Sequence, residues 1–105
     1  MDRIEHILSC VSEESHEVGQ RACKAARFGL DEVQPAQSLN NWERIVGEFH
    51  DLYSVLIMLA EDSGRDRNDL APTASIVGEK RAKVERFMLL AASTGALTTS
   101  GAEHG

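Results

Sequence analysis

Three runs of apolar residues recur at steps of three and four, and that spacing restricts the chain to helices. Ile4, Ile7, Leu8, Val11, Val18, Ala22 and Ala25 mark the first run. Ile45, Phe49, Leu52, Leu56 and Leu59 mark the second, widened by Trp42, Val46, Tyr53 and Ala60. Val77, Val84, Phe87, Met88 and Ala91 mark the third. At 3.6 residues per turn such positions share one face. The breaks between the runs set the boundaries. The first helix is expected from about Asp2 to about Arg27, stopped by Gly29. A loop with Gly29 and Pro35 follows, from Phe28 to Asn40. Asn40 or Asn41 caps the second helix, which runs to about Ser63 and closes at Gly64. Residues 64–72 read as a polar loop. Thr73 then caps a third helix reaching about Thr94, with Gly95 after it.

These elements predict an all-α fold, an antiparallel helical hairpin plus a third helix. One domain covers 1–95, and a disordered tail is expected over 96–105. The second apolar face spans more than half the helix circumference. A face that wide packs against two neighbours. Homo-oligomerisation, as a homodimer or homotetramer, is therefore expected to complete a four-helix-type bundle.

Carboxylates interrupt two of the apolar faces. Glu14 and Glu17 are spaced i, i+3, and so are Glu48 and Asp51. Each pair therefore lies on one side of its helix. Glu14 falls at the edge of the first stripe, beside Val11 and Val18, and Glu17 follows on the same flank. Glu13 points to the opposite side, towards solvent. Glu48 falls inside the second stripe, and Asp51 lies just beyond its edge. An antiparallel hairpin brings the two pairs to within about one helical turn in height. A buried carboxylate without compensation takes up a proton or finds a cation. Four such groups with little facing positive charge suit a divalent ion. All-oxygen ligation favours Mg²⁺ or Mn²⁺ over zinc. His16 and His50 project away from the stripes and read as surface histidines.

Cations follow the acids. Arg21 lies on the Glu14/Glu17 flank one turn on, with Lys24 and Arg27 beyond it. On the third helix Lys80 and Lys83 are again spaced i, i+3. A metal together with Lys and Arg on phosphate oxygens is the usual electrostatic arrangement for phosphoryl chemistry. The formal charge is −6, from 11 basic and 17 acidic residues. Four of those charges belong to the carboxylate pairs, and the balance argues against a nucleic-acid binder held by general electrostatics. Cys10 and Cys23 fall on one helix, roughly 20 Å apart, too far for a disulfide. They are expected as reduced thiols in a cytoplasmic protein. The run Leu56–Ala60 is too short to span a bilayer, and the first residues have no apolar signal core.

The segment Glu13-Glu14-x-x-Glu17, followed by Glu48-x-x-Asp51, resembles the E-E-x-x-E…E-x-x-D signature of the MazG-like all-α nucleoside triphosphate pyrophosphohydrolases. Lys24-Ala25-Ala26-Arg27-Phe28-Gly29 resembles the S-K-x-x-R-F-G stretch of the short, often phage-encoded subgroup. Asn41-x-Glu43-Arg44, Lys80, Lys83-Val84 and Gly95-x-Leu97 fit the same subgroup, and the likeness covers about residues 7–97. Cys23 stands where serine is common, His50 replaces a common glycine, and 30 residues separate Glu17 from Glu48. The resemblance implies Mg²⁺-dependent hydrolysis of a nucleoside or deoxynucleoside triphosphate to the monophosphate and pyrophosphate, with Mn²⁺ as a substitute. It implies Glu14, Glu17, Glu48 and Asp51 as metal ligands, with Glu14 or Glu17 orienting or deprotonating the attacking water. It also implies Lys24, Arg27, Lys80 and Lys83 as phosphate contacts. The setting it implies is the cytoplasm of a bacterial host or a phage-infected cell. The alternative is a non-catalytic helical module that binds a nucleotide or a protein and uses the metal for structure or sensing.

Overall fold

The computed structural model describes residues 1–98, and these are helical throughout their regular elements. α1 spans Arg3–Phe28, α2 spans Asn41–Asp62, a single 3₁₀ turn spans Arg67–Leu70, and α3 spans Ala74–Ser93. Within the described residues the strand-like pairing is one isolated bridge, Val33 with Asn40. The chain divides into two units, Met1–Leu70 and a second that begins at Ala71.

The first unit is the expected hairpin. α1 begins where the Asp2 side chain accepts the Glu5 N–H at 2.8 Å. Such a cap is worth about 1 kcal/mol. It stops at Gly29, whose φ of 96° strains any residue with a Cβ. The Gly29 N–H still reaches the Ala25 carbonyl at 2.8 Å. α2 starts with a reciprocal cap. Asn40 Oδ1 accepts from the Glu43 N–H at 2.8 Å, and Glu43 Oε1 accepts from the Asn40 N–H at 3.0 Å. Two of the donors at this helix start are thereby satisfied.

That arrangement leaves Asn41 for another task. It is 1% exposed, and its Nδ2 donates to the Gly29 carbonyl at 2.8 Å and to Glu32 Oε1 at 3.3 Å. The backbone N–H groups of Asn41 and Trp42 reach Glu32 O and Leu30 O, each at 3.0 Å. The end of α1 is thus tied to the start of α2. At the opposite end an ion pair joins Arg3 to Asp62. These two closures make the helices antiparallel.

Between the closures runs a seam with alternating steps of three and four. On α1 it passes through Ile4, Ile7, Val11, Glu14, Val18, Arg21 and Ala25, all buried or half-buried. On α2 it passes through Asn41, Ile45, Glu48, Leu52, Val55 and Leu59, again buried or half-buried. Three charged residues therefore occupy positions that apolar side chains take in an ordinary helix pair. The seam is narrower than the stripes predicted. Leu8 is 48% exposed, and Ala22 is exposed. Trp42, one of the residues that widen the second stripe, is 55% exposed, and Phe28 at the end of α1 is 53% exposed. A two-helix contact covers one seam only, so apolar residues on the far sides stay in solvent. The polar stretch 64–72 is not wholly irregular. Its 3₁₀ turn brings Leu70 back beside Leu56, Leu59 and Ala60 of α2.

In the second unit, Thr73 caps α3 by accepting the Ile76 N–H at 3.2 Å. Gly95, at φ 82°, lets the Ala96 N–H turn back to the Ala91 carbonyl at 2.8 Å. No residue of α3 is buried. Ile76, Val77, Val84 and Met88 form a shallow apolar groove edged by Lys80 and Arg81. The tail expected over 96–105 falls mostly on 99–105, outside the described residues. No described helix is long and apolar enough to cross a membrane.

Candidate metal centre

The seam brings three of the four singled-out carboxylates together. Glu14, Glu17 and Glu48 each present an oxygen within 4.8 Å of the others. Glu14 and Glu48 arrive there because both sit in the seam, and Glu17 because it lies one turn beyond Glu14 on the flank. All three are half-buried. Glu13 is exposed, as its helical angle predicts. Asp51 is exposed and stands outside the group of three. Its charge is nonetheless felt at both Glu14 and Glu48.

The electrostatics follow from crowding. Loss of water pushes the Glu14 carboxyl above the ordinary value of 4.5, and the charges of Glu17, Asp51 and Glu48 push in the same direction. Desolvation raises Glu48 too, and the adjacent Glu17 and Asp51 add to it. Arg21 pulls Glu48 the other way without cancelling the rise. Glu14 Oε2 and Glu48 Oε2 are shielded from solvent and accept no hydrogen bond. Shielded carboxylate oxygens without a donor are costly unless a cation meets them.

The donor set fits a hard divalent ion. The oxygens are carboxylate oxygens, the donors such ions take, and they gather within 4.8 Å of one another. Glu14, Glu17 and Glu48 would hold such an ion, with Asp51 beside them. Among the described residues this is the group of His, Cys, Asp and Glu side chains gathered closely enough to do so.

The expected phosphate contacts are placed less tightly. Lys24 is half-buried one turn beyond Arg21 on α1, and Arg27 is exposed at the helix end. Lys80 and Lys83 lie exposed on α3 in the second unit, with Lys83 Nζ 6.0 Å from the centre of the Phe87 ring. His16 is exposed, with Nδ1 2.6 Å from the Ser12 carbonyl, and His50 is exposed as well. Cys10 and Cys23 are free thiols.

Two residues at this end of the hairpin carry more than their sequence positions suggest. Asn41 reads as one of two alternative caps, yet it is the buried anchor of the loop. Arg21 reads as a flank cation, yet it stands in the seam itself. The signal for Arg21 is present in the chain: steps of three and four from Ile4 to Ala25 pass through it. Compared with protein-family models, curated proteins and solved structures, the chain matches none.

Proposed function

We propose that the chain is a divalent-metal-dependent nucleoside triphosphate pyrophosphohydrolase, as its resemblance to the MazG-like enzymes implies. The observation that carries this reading is the pair of shielded, unpaired oxygens, Glu14 Oε2 and Glu48 Oε2, within a three-carboxylate cluster. Solvated acidic faces do not need to desolvate their oxygens, and a cation centre does. Mg²⁺, or Mn²⁺ in its place, supplies charge neutralisation and lowers the pKa of a water at neutral pH. Glu14, Glu17 and Glu48 would hold the ion, and the resemblance adds Asp51 as a fourth ligand. Glu14 or Glu17 orients the water or takes its proton. Lys24 and Arg27 bind phosphate oxygens of the substrate, a role that the resemblance also gives to Lys80 and Lys83. The exposed apolar sides of α2 and α3 are covered by further copies of the chain, in a homodimer or homotetramer.

The test is a panel of the common nucleoside and deoxynucleoside triphosphates with Mg²⁺, read by product identity. Pyrophosphate and monophosphate from at least one substrate are expected. Release of orthophosphate alone, or no turnover with any divalent metal, overturns the reading. Calorimetric nucleotide binding without product would favour the non-catalytic module instead.

A further inference from the structure

Arg21 is placed unlike the other arginines whose guanidinium contacts the structure defines. Arg3, Arg67 and Arg81 pair with the exposed or half-exposed carboxylates of Asp62, Glu61 and Glu85. Arg44 donates to Gln34, and Arg65 donates to the Ser63 carbonyl. Arg21 is half-buried, and its Nη1 is shielded from solvent with no hydrogen-bond partner. It stands four residues after Glu17 and seven after Glu14, on the same side of α1. Its charge reaches Glu48 across the seam, yet no ion pair forms between Arg21 and any of the three carboxylates.

The seam therefore holds shielded acceptors and, one to two turns further along α1, a shielded donor, each unsatisfied. A bare divalent ion satisfies the carboxylates but leaves Nη1 unpaired beside a new positive charge. An ion that carries an anion satisfies both at once, because its anionic oxygens accept from the guanidinium. We propose that Arg21 is the anion-contacting residue of this centre, with Nη1 donating to a phosphate oxygen of a metal-bound polyphosphate. The centre then favours the metal–polyphosphate complex over the bare ion. The proposal rests on the metal reading of the carboxylates, and it assigns to Arg21 the phosphate contact nearest the metal.

The test measures two affinities separately on the full chain, with Mn²⁺ alone and with Mn²⁺ plus inorganic tripolyphosphate. Paramagnetic resonance reads free Mn²⁺, and calorimetry reads the complex. In Arg21→Gln, bare Mn²⁺ is expected to bind as tightly as in the wild type or more tightly, since a repelling charge is gone. Affinity for the Mn²⁺–tripolyphosphate complex should fall about tenfold or more, the scale of a charge-assisted hydrogen bond. Arg21→Lys keeps the charge without the planar fork and should recover part of that loss. Equal changes in both affinities, or none in either, overturn the proposal while the metal reading stands. A wild-type chain that binds no Mn²⁺ overturns the metal reading, and the proposal with it. If Arg21→Gln does not fold, nitrogen-detected resonances of the Arg21 guanidinium in the wild type decide. They should shift when tripolyphosphate joins Mg²⁺ and not with Mg²⁺ alone, and their absence of response overturns the proposal.

Discussion

At the scale of single residues, the first unit depends on polar side chains placed where apolar ones would pack more cheaply. Asn41 is the clearest case. Its amide holds the Gly29 carbonyl and Glu32 at a position almost closed to solvent. Asn41→Ala leaves that carbonyl without its donor and should cost about 1–3 kcal/mol, measured by urea unfolding. Glu48 behaves in the opposite sense. Glu48→Gln removes a charge that Glu17 and Asp51 repel, so the metal-free protein should gain roughly 0.5–1 kcal/mol, a surface-pair scale. The same variant should lose turnover and lose any rise in melting temperature on adding Mg²⁺ or Mn²⁺. Glu48 was legible in the sequence because it interrupts an apolar stripe. Asn41 was not, because two adjacent asparagines before a helix offer the same capping chemistry, and only the path of the loop decides between them.

At the scale of the elements, the two helices converge on a carboxylate cluster whose charge opposes their packing. Glu14 and Glu48 bind protons more tightly in the folded chain than in the unfolded chain, where the value lies near 4.5. Their contribution is therefore fully present below that value. It is lost as pH rises through the raised folded values, so they favour the fold less at neutral pH. In chelator the melting temperature should pass through a maximum on the acid side of neutrality. Adding Mn²⁺ should raise it most near neutral pH, with the rise fading as pH falls, because protons and metal compete for the same oxygens. A scanning-calorimetry series with and without metal checks both. Helix ends are legible to within a residue or two because caps and glycines mark them locally. The extent of burial is not legible in the same way, since periodicity shows which side is apolar and not how much of it one neighbour can cover. Trp42 falls in that gap.

At the scale of the whole molecule, neither unit encloses much of its own apolar surface. Ile7, Ala25 and Ala60 are the buried hydrophobic residues among those described, while Phe49, Phe87, Leu89 and Leu90 are more than half exposed. Exposed apolar surface on this scale marks an interaction surface. The 11.5 kDa chain should therefore elute and scatter as an integral multiple of its mass, and dilution should dissociate it with a loss of thermal stability. A monomer at micromolar concentration would contradict the self-association reading.

The two closures of the hairpin differ in kind, and the difference sets a direction for its breathing. Arg3 and Asp62 meet at the surface, with the Arg3 side chain 71% exposed, so salt weakens their contact. Asn41 is enclosed and uncharged, so salt leaves it alone. The hairpin should unzip from the Arg3 end, and more readily as ionic strength rises. Amide exchange should then be fastest over the first two turns of α1 and the last two of α2, and slowest beside Ala25 and Ile45. Glu14 and Glu48 lie between these extremes, so the same salt that screens a charged ligand also loosens one wall of the place that would receive it.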